Sequence, residues 1–256
     1  MATKDSGVGL GNWRAESLRV TVFAQAGVEL PASDWWFAVV GEPPESKTER
    51  LRQSLQTMEG HLGKAKLILN VLANRVDWIV VSDPNLDKEL TESPNVGPYP
   101  EVLESFGPKI FPWLKSAPAV TRLAWGAALT QPVADRVTGY RKLQEYLPSL
   151  KLDIENSSDF FYQINRPRKS KVVGDLVVNR LQKWSVVAIH NVQFQVGATQ
   201  TQVQRRLDQA LHGCRVELDI NTAEDRTEVL PKERVGDLLQ ELVGIGEEIV
   251  TRGDIP

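Results

Sequence analysis

Phe160–Ile189 reads FFYQINRPRKSKVVGDLVVNRLQKWSVVAI. Its β-favouring segments, Phe160–Asn165 and Asp175–Leu181, flank a turn that carries Arg166, Arg168, Lys169 and Lys171 with no acid among them. Strands joined by so short a connection are antiparallel. Trp184–Phe194 then reads as a third strand. The stretch therefore predicts an antiparallel sheet, and it holds the only dense basic cluster of the chain.

Downstream, Val203, Leu207 and Leu211 have helical spacing, with Gly213 placed to end that helix. Arg215–Thr222 alternates as a strand. Val235, Leu238, Leu239, Leu242 and Ile249 mark a last amphipathic helix opening at Pro231, weakened by Gly236, Gly244 and Gly246. Upstream, Arg122–Thr130 is a strand. Pro132 suits a first helical turn, and Val133, Val137, Tyr140 and Leu147 line one face of a helix that stops before Pro148.

The first half is richer in strands. Leu18, Val20 and Val22 alternate with Arg19, Thr21 and Phe23. Trp35–Val40 is a bulky, β-favouring run. Thr48–Glu59 fits either periodicity and is taken as a strand, because His61–Lys64 reads as a hairpin loop leading into Lys66–Leu72 and then Val76–Val81. Asp83–Pro100 is a loop. Val102, Phe106, Ile110 and Trp113 have helical spacing, interrupted by Pro108 and Pro112.

The expected class is α+β, with antiparallel sheet covered by helices. The expected organisation is a flexible leader over 1–12, a strand-rich meander plus helix over 13–116, and a β-α-β-β-β-α-β-α half over 117–256, which is close to a split βαβ (ferredoxin-like) arrangement with an added strand. The two halves can also form one continuous domain. Leu67–Trp78 and Leu176–Trp184 share an apolar–Asn–turn–Trp layout, which suggests a duplication or two similar hairpins arising by chance.

Hydrophobic residues are 41% and charged residues 25%, as in ordinary globular proteins. The net charge of -3 makes the whole chain a poor polyanion binder, so nucleic-acid contact requires a local patch. One cysteine, Cys214, excludes an intrachain disulfide and fits a reducing compartment. No run is long and apolar enough to span a membrane, and Met1–Asn12 lacks the apolar core of a signal peptide. The expected location is cytoplasmic.

No catalytic set converges. His61, His190 and His212 have no metal-ligand spacing, and Gly7–Gly11 lacks the strand and Lys of a phosphate loop. His212-Gly213-Cys214 lacks the third group of a nucleophile–base system. No catalytic residue, metal ligand or cofactor is expected. Glu217, Asp219 and Asn221 share one strand face and suit a hard cation, as in a metal-dependent nuclease; the plainer reading is a solvated polar face opposite Val216, Leu218 and Ile220. The binding candidates are Arg166, Arg168, Lys169 and Lys171, extended by Arg180 and Lys183, against the plain alternative of a solvated hairpin tip. Phe161, Tyr162 and Trp184 can stack on bases if they face outward, which would make an RNA-binding split βαβ domain. Of the adjacent Trp35 and Trp36, one is expected in the core and the other under a helix or partner subunit.

Leu67–Trp78, the helix holding Phe106 and Trp113, VTRLAWGAAL (Val120–Leu129) and VELDINT (Val216–Thr222) together resemble a sporadically distributed family of uncharacterised bacterial proteins of similar length. The resemblance implies a bacterial protein of an accessory gene cluster and carries no activity with it. The expected function is a non-catalytic binding or assembly component of a multi-protein or nucleic-acid-containing complex. A protein partner or self-association is expected, with nucleic acid as a further partner through the Arg166–Lys171 turn and no membrane contact.

Overall fold

The computed structural model describes residues 9–25, 27, 30–83, 92–190, 192–196, 201–205, 210–224 and 228–254. The first half runs β1 (Arg14–Ala24), α1 (Ala32–Val40), β2 (Ser46–Arg50), β3 (Leu55–Leu62), β4 (Ala65–Leu72), β5 (Arg75–Val81), the short β6 (Gly97–Pro98) and α2 (Tyr99–Trp113). The second runs β7 (Val120–Val133), α3 (Arg136–Tyr146), β8 (Phe161–Asn165), the short β9 (Arg168–Lys169) and β10 (Val177–Ile189). It continues with β11 (Val192–Val196), β12 (Thr201–Arg205), β13 (Leu211–Thr222) and α4 (Val235–Arg252). The class is α+β, with a large antiparallel sheet.

That sheet is ordered β2-β3-β4-β5-β1-β7-β13-β10-β8, with β6 beside β1 and β9 beside β10; β11 and β12 pair separately. Every pairing is antiparallel. The seam is β1·β7, where Val20 lies opposite Trp125. On each side of it the chain starts at the seam, passes through a helix, goes to the far edge, meanders back to pair with its own first strand, and ends in a helix. One sheet thus spans residues on both sides of the expected 116/117 boundary.

The split βαβ detail is not confirmed by this order. Two strands, β13 and β10, separate β7 from β8, so β7 and β8 run antiparallel and no parallel crossover forms. The repeated Asn–turn–Trp layout also differs from the topological repeat. Asn70 and Asn179 fall on counterpart strands, β4 and β10. Trp78, however, lies beyond a turn on β5, while Trp184 stays on β10.

Several elements depart from their sequence reading. Trp35–Val40 is helical, because Ala32, Trp35, Trp36 and Val39 bury one helical face and Gly41 at φ 83 caps the end, its N–H donating to Phe37 O. Both tryptophans are consequently in the core: Trp36 stacks on Trp78 at 6.0 Å, and Trp35 meets Trp113 edge-on at 5.5 Å. Neither waits for a partner subunit. α2 continues through Pro108 and Pro112, its buried Val102, Phe106, Ile110 and Trp113 offsetting the lost helical hydrogen bonds. Pro132 and Val133 finish β7, and α3 starts three residues later at Arg136, capped by Asp135, whose side chain accepts the Thr138 N–H at 2.7 Å.

Leu181 and Trp184 belong to one strand, β10, because Val178, Arg180, Gln182 and Trp184 all point to the buried side. The expected helix around Val203 is not formed where the structure is described. Thr201–Arg205 is strand, and Leu211 and Gly213 lie in β13; Leu207 lies outside the described residues. Gly213 is needed within that strand, since a Cβ there would stand 2.3 Å from the Thr130 methyl.

The four helices all pack on one face of the sheet. Trp36 of α1 reaches Gly60, Phe106 of α2 meets Trp125, α3 places Gly139 against Val186, and α4 places Gly246 against Leu218 and Trp125. All seven tryptophans are buried on this side. No described helix covers the other face. None of the described helices is long and apolar enough to cross a membrane.

Candidate contact surfaces

The basic stretch is not a free turn. β9 pairs with Val177 and Val178, which draws the cations back against β10 and the end of α4. Arg166 donates from Nε at 2.7 Å and Nη2 at 2.9 Å to the Asp254 carboxylate, whose side chain is fully buried. Tyr162 Oη and Gln182 Nε2 donate to the same carboxylate at 2.7 and 2.8 Å, and Gln182 Oε1 accepts from Trp184 Nε1. The Arg166 guanidinium, helped by Tyr162, holds the Asp254 carboxyl below its ordinary range against the opposing effect of burial. Burial raises the Tyr162 phenol, and Asp254 raises it further.

Arg168 Nη1 donates to Glu248 on α4 at 3.2 Å. Lys169 pairs in the open with Asp175 at 3.1 Å. The backbone N–H of Lys171 donates to Glu241 at 2.7 Å, and Ser170 Oγ donates to the same carboxylate at 2.5 Å. Arg180 lies on the helix-covered side of β10 and is 5% exposed. Lys183 lies on the opposite face, 4.0 Å from Glu217. The structure brings Arg166, Arg168 and Arg180 together and sets Lys183 apart. The acids that meet Arg166 and Arg168 are distant in sequence, so no local signal announced them.

The uncovered face is the largest feature not anticipated. Nine strands spaced at about 4.8 Å make it roughly 40 Å wide. A row of polar side chains runs across it in register through Thr57, Asn70, Asp77, Thr21, Asn221 and Asn179, interrupted at Ala124, and Asn165, which pairs with Leu181, stands diagonally beyond Asn179. Thr57 Oγ1 donates to Asn70 at 2.8 Å and Thr21 Oγ1 to Asp77 at 2.6 Å. Asn179 Nδ2 donates to Asn221 at 3.1 Å and Asn165 Nδ2 to Asn179 at 3.0 Å. Beside this row, Phe23 lies between the guanidinium groups of Arg75 and Arg122, with centroid distances of 5.5 and 4.9 Å. On its other side Ile68, Ile79 and Val81 form an apolar patch next to Arg19.

Carboxylates on this face carry donors. Lys66 holds Glu59 at 2.8 Å, Arg75 holds Asp77 at 2.8 Å, and Arg215 bridges Glu16 at 2.8 Å and Glu217. Asp219 accepts from Asn221 Nδ2 at 3.1 Å. Glu217 and Asp219 do share the open face, but Glu217 is taken by Arg215, and no group of three metal-ligating side chains occurs among the described residues. Arg14, Arg19 and Arg50 lie on the same face with no acid partner among the described residues. Arg19 Nε is buried without a hydrogen bond, lying against Gly126, where a Cβ would come within 3.3 Å of the guanidinium.

Of the aromatics weighed for base stacking, Phe161 faces this open side and is 58% exposed, whereas Tyr162 turns inward to Asp254 and Trp184 is core. His212 sits within β13 rather than at a helix end. The Cys214 thiol is pushed up to about 12 by burial and stays protonated and unreactive at neutral pH. No protein-family model matches the chain, and a search of curated proteins also finds no match.

Proposed function

We propose that the protein is a non-catalytic binding component of a bacterial, cytoplasmic multi-protein assembly, and that it works through the open face of its sheet. The observation that carries this reading is the charge state of that face. Its carboxylates already have donors, while Arg14, Arg19 and Arg50 have no acid partner among the described residues. The face therefore keeps a positive residual field on a chain of net charge -3. With the Ile68–Ile79–Val81 patch beside Arg19, it suits an acidic protein surface with an apolar centre, since interfaces enrich arginine and apolar anchors at their core. A nucleic acid is less favoured, because most cations on this face are interleaved with acids and the stacking aromatics there are Phe23 and Phe161. The likeness to a bacterial accessory family supports an assembly role over a solitary enzyme.

The test compares affinity purifications of the tagged full-length chain from its native host. One variant carries Arg19→Glu and Ile79→Asp on the open face; a control carries Lys232→Glu on the helix side. The expected result is a set of proteins retained by the wild type and the control and reduced at least tenfold by the open-face variant. Nuclease-sensitive nucleic acid lost from that variant instead would replace the protein partner with a nucleic acid. Identical captures from all three chains would overturn the reading.

A further inference from the structure

The two outer edges of the large sheet are finished differently. At one end stands β2, whose residues are all exposed and include Lys47, Glu49 and Arg50. Charges so placed discourage pairing with a further strand. At the other end stands β8, which reads FYQIN and holds neither a charge nor a proline. It has β10 on one side and no strand on the other among the described residues. Half of the backbone N–H and C=O groups of such an edge point away from its neighbour and form a template for another strand. Phe161 is left 58% exposed on it, and Gln163 and Asn165 are exposed as well. Ile164, on the helix side, is half-buried.

Residues 161–165 pair with 185–181 and residues 168–169 with 178–177, so one register along β10 runs from Phe161 to Lys169. This edge has an acid just before it, Asp159, and a base at its far end, Lys169. Asp159 is exposed and has no ion pair among the described residues. Lys169 meets Asp175 at 3.1 Å, but both side chains are largely in solvent, and such a pair is weak. Arg166 and Arg168 are already held by Asp254 and Glu248. The edge is therefore negative at one end, neutral in the middle and positive at the other, which makes it the complement of its own reverse. We infer that β8 is a self-association edge, to which a second copy of this chain adds its own β8 antiparallel, about a two-fold axis at Ile164. Ile164 then meets its counterpart, Gln163 lies opposite Asn165 of the second copy, Phe161 opposite Pro167, and Asp159 comes toward Lys169. Each contact is made twice, as in any isologous pair. Phe161 and Pro167 lie on the same side of the new ladder and cover one another. The axis stands normal to the sheet, so the two open faces join on one side into a single surface. The inference does not depend on what that surface binds.

Sedimentation equilibrium of the full chain reads the association. A single pair of short strands is small beside a standard interface of about 1,600 Å², so the dimer is weak, and the weight-average mass is expected to climb from one chain toward two as the protein is concentrated to about 0.5 mM. Gln163→Lys, at an exposed position, places two ammonium groups beside the axis and is expected to weaken the dimer at least tenfold. Lys47→Ala on β2 is expected to leave it unchanged. Lys169→Glu sets like charges against each other at both ends and is expected to weaken the dimer by about threefold. Adding Asp159→Asn to that variant removes the acid it faces, suits the positive φ of position 159, and is expected to recover part of the loss. This last pair of variants tests the inference even if Gln163→Lys does not fold. The inference is overturned if the wild type remains a single chain throughout, if a folded Gln163→Lys associates as the wild type does, or if Asp159→Asn leaves the loss from Lys169→Glu unchanged. A single chain that instead captures a host protein, lost with Gln163→Lys, also overturns it and assigns the edge to a foreign strand.

Discussion

Asp254 gathers three donors around one buried carboxylate, and its consequence is a pH dependence. Its pKa in the folded chain is lowered, chiefly by the hydrogen bonds from Arg166. A carboxyl of depressed pKa contributes stability that is fully present above its unfolded value, near 3.8, and is lost as pH falls through the folded value. The wild type is thus expected to lose this contribution below about pH 4. Asp254→Asn should be less stable at neutral pH and show a shallower acid limb, measured as Tm against pH from 3 to 7. Parallel curves for the two chains would contradict it. At this scale the sequence was least legible. Arg166 and Arg168 read as free cations because their acids stand 88 and 80 residues away. Gln182 read as a strand boundary because a buried amide looks, in sequence, like an exposed one.

The end of α4 shows how one backbone position secures an element. Gly253 has φ 76, its N–H donates to Ile249 O, and the next N–H, of Asp254, donates to Tyr146 O at 2.9 Å. A Cβ on Gly253 would stand 2.1 Å from that same carbonyl oxygen. Gly253→Ala is therefore expected to destabilise the protein by about 3 kcal/mol, from the strained φ and the displaced Tyr146 carbonyl together, read as a lower urea midpoint at unchanged slope. A midpoint within error of the wild type would contradict it. Elements whose apolar period matches their burial were legible in sequence: β1, the β4–β5 hairpin, β7, β13 and α4. Those that failed were decided by tertiary contact. The β-favouring residues of α1 turn helical because Trp78 and Trp113 offer partners on one side only. The prolines of α2 are tolerated because its apolar face is fully covered.

Across the whole molecule, the two topological repeats share one sheet and one continuous core, which runs from Trp36 through Trp125 to Trp184. Unfolding is accordingly expected to be a single transition. Tryptophan fluorescence and far-ultraviolet circular dichroism should coincide along a urea titration, whereas two resolved transitions would show the repeats to be separate folding units. The antiparallel α+β character was readable from strand periodicity. The strand order was not, because the pairing of β5 with β1 and of β13 with β7 depends on which helix covers which strand. Nor was the bare face, since a mosaic of alternating polar and apolar residues looks the same whether water or a partner covers it.

The β1·β7 seam also sets a problem of timing. During synthesis β1 finds β5 as soon as the first repeat has emerged, but its other edge stays unpaired until β7 follows, about a hundred residues after β1 itself. For that interval the nascent chain displays the open hydrogen-bonding groups of what will become the most central strand of the sheet, Leu18, Val20 and Val22 among them. A strand edge of that kind pairs readily with whatever strand it meets first. The charges that blunt β2, Lys47, Glu49 and Arg50, protect the outer edge of the finished sheet and do nothing for this inner one. The hazard of the fold is therefore greatest when the protein is half made and disappears once its centre has closed.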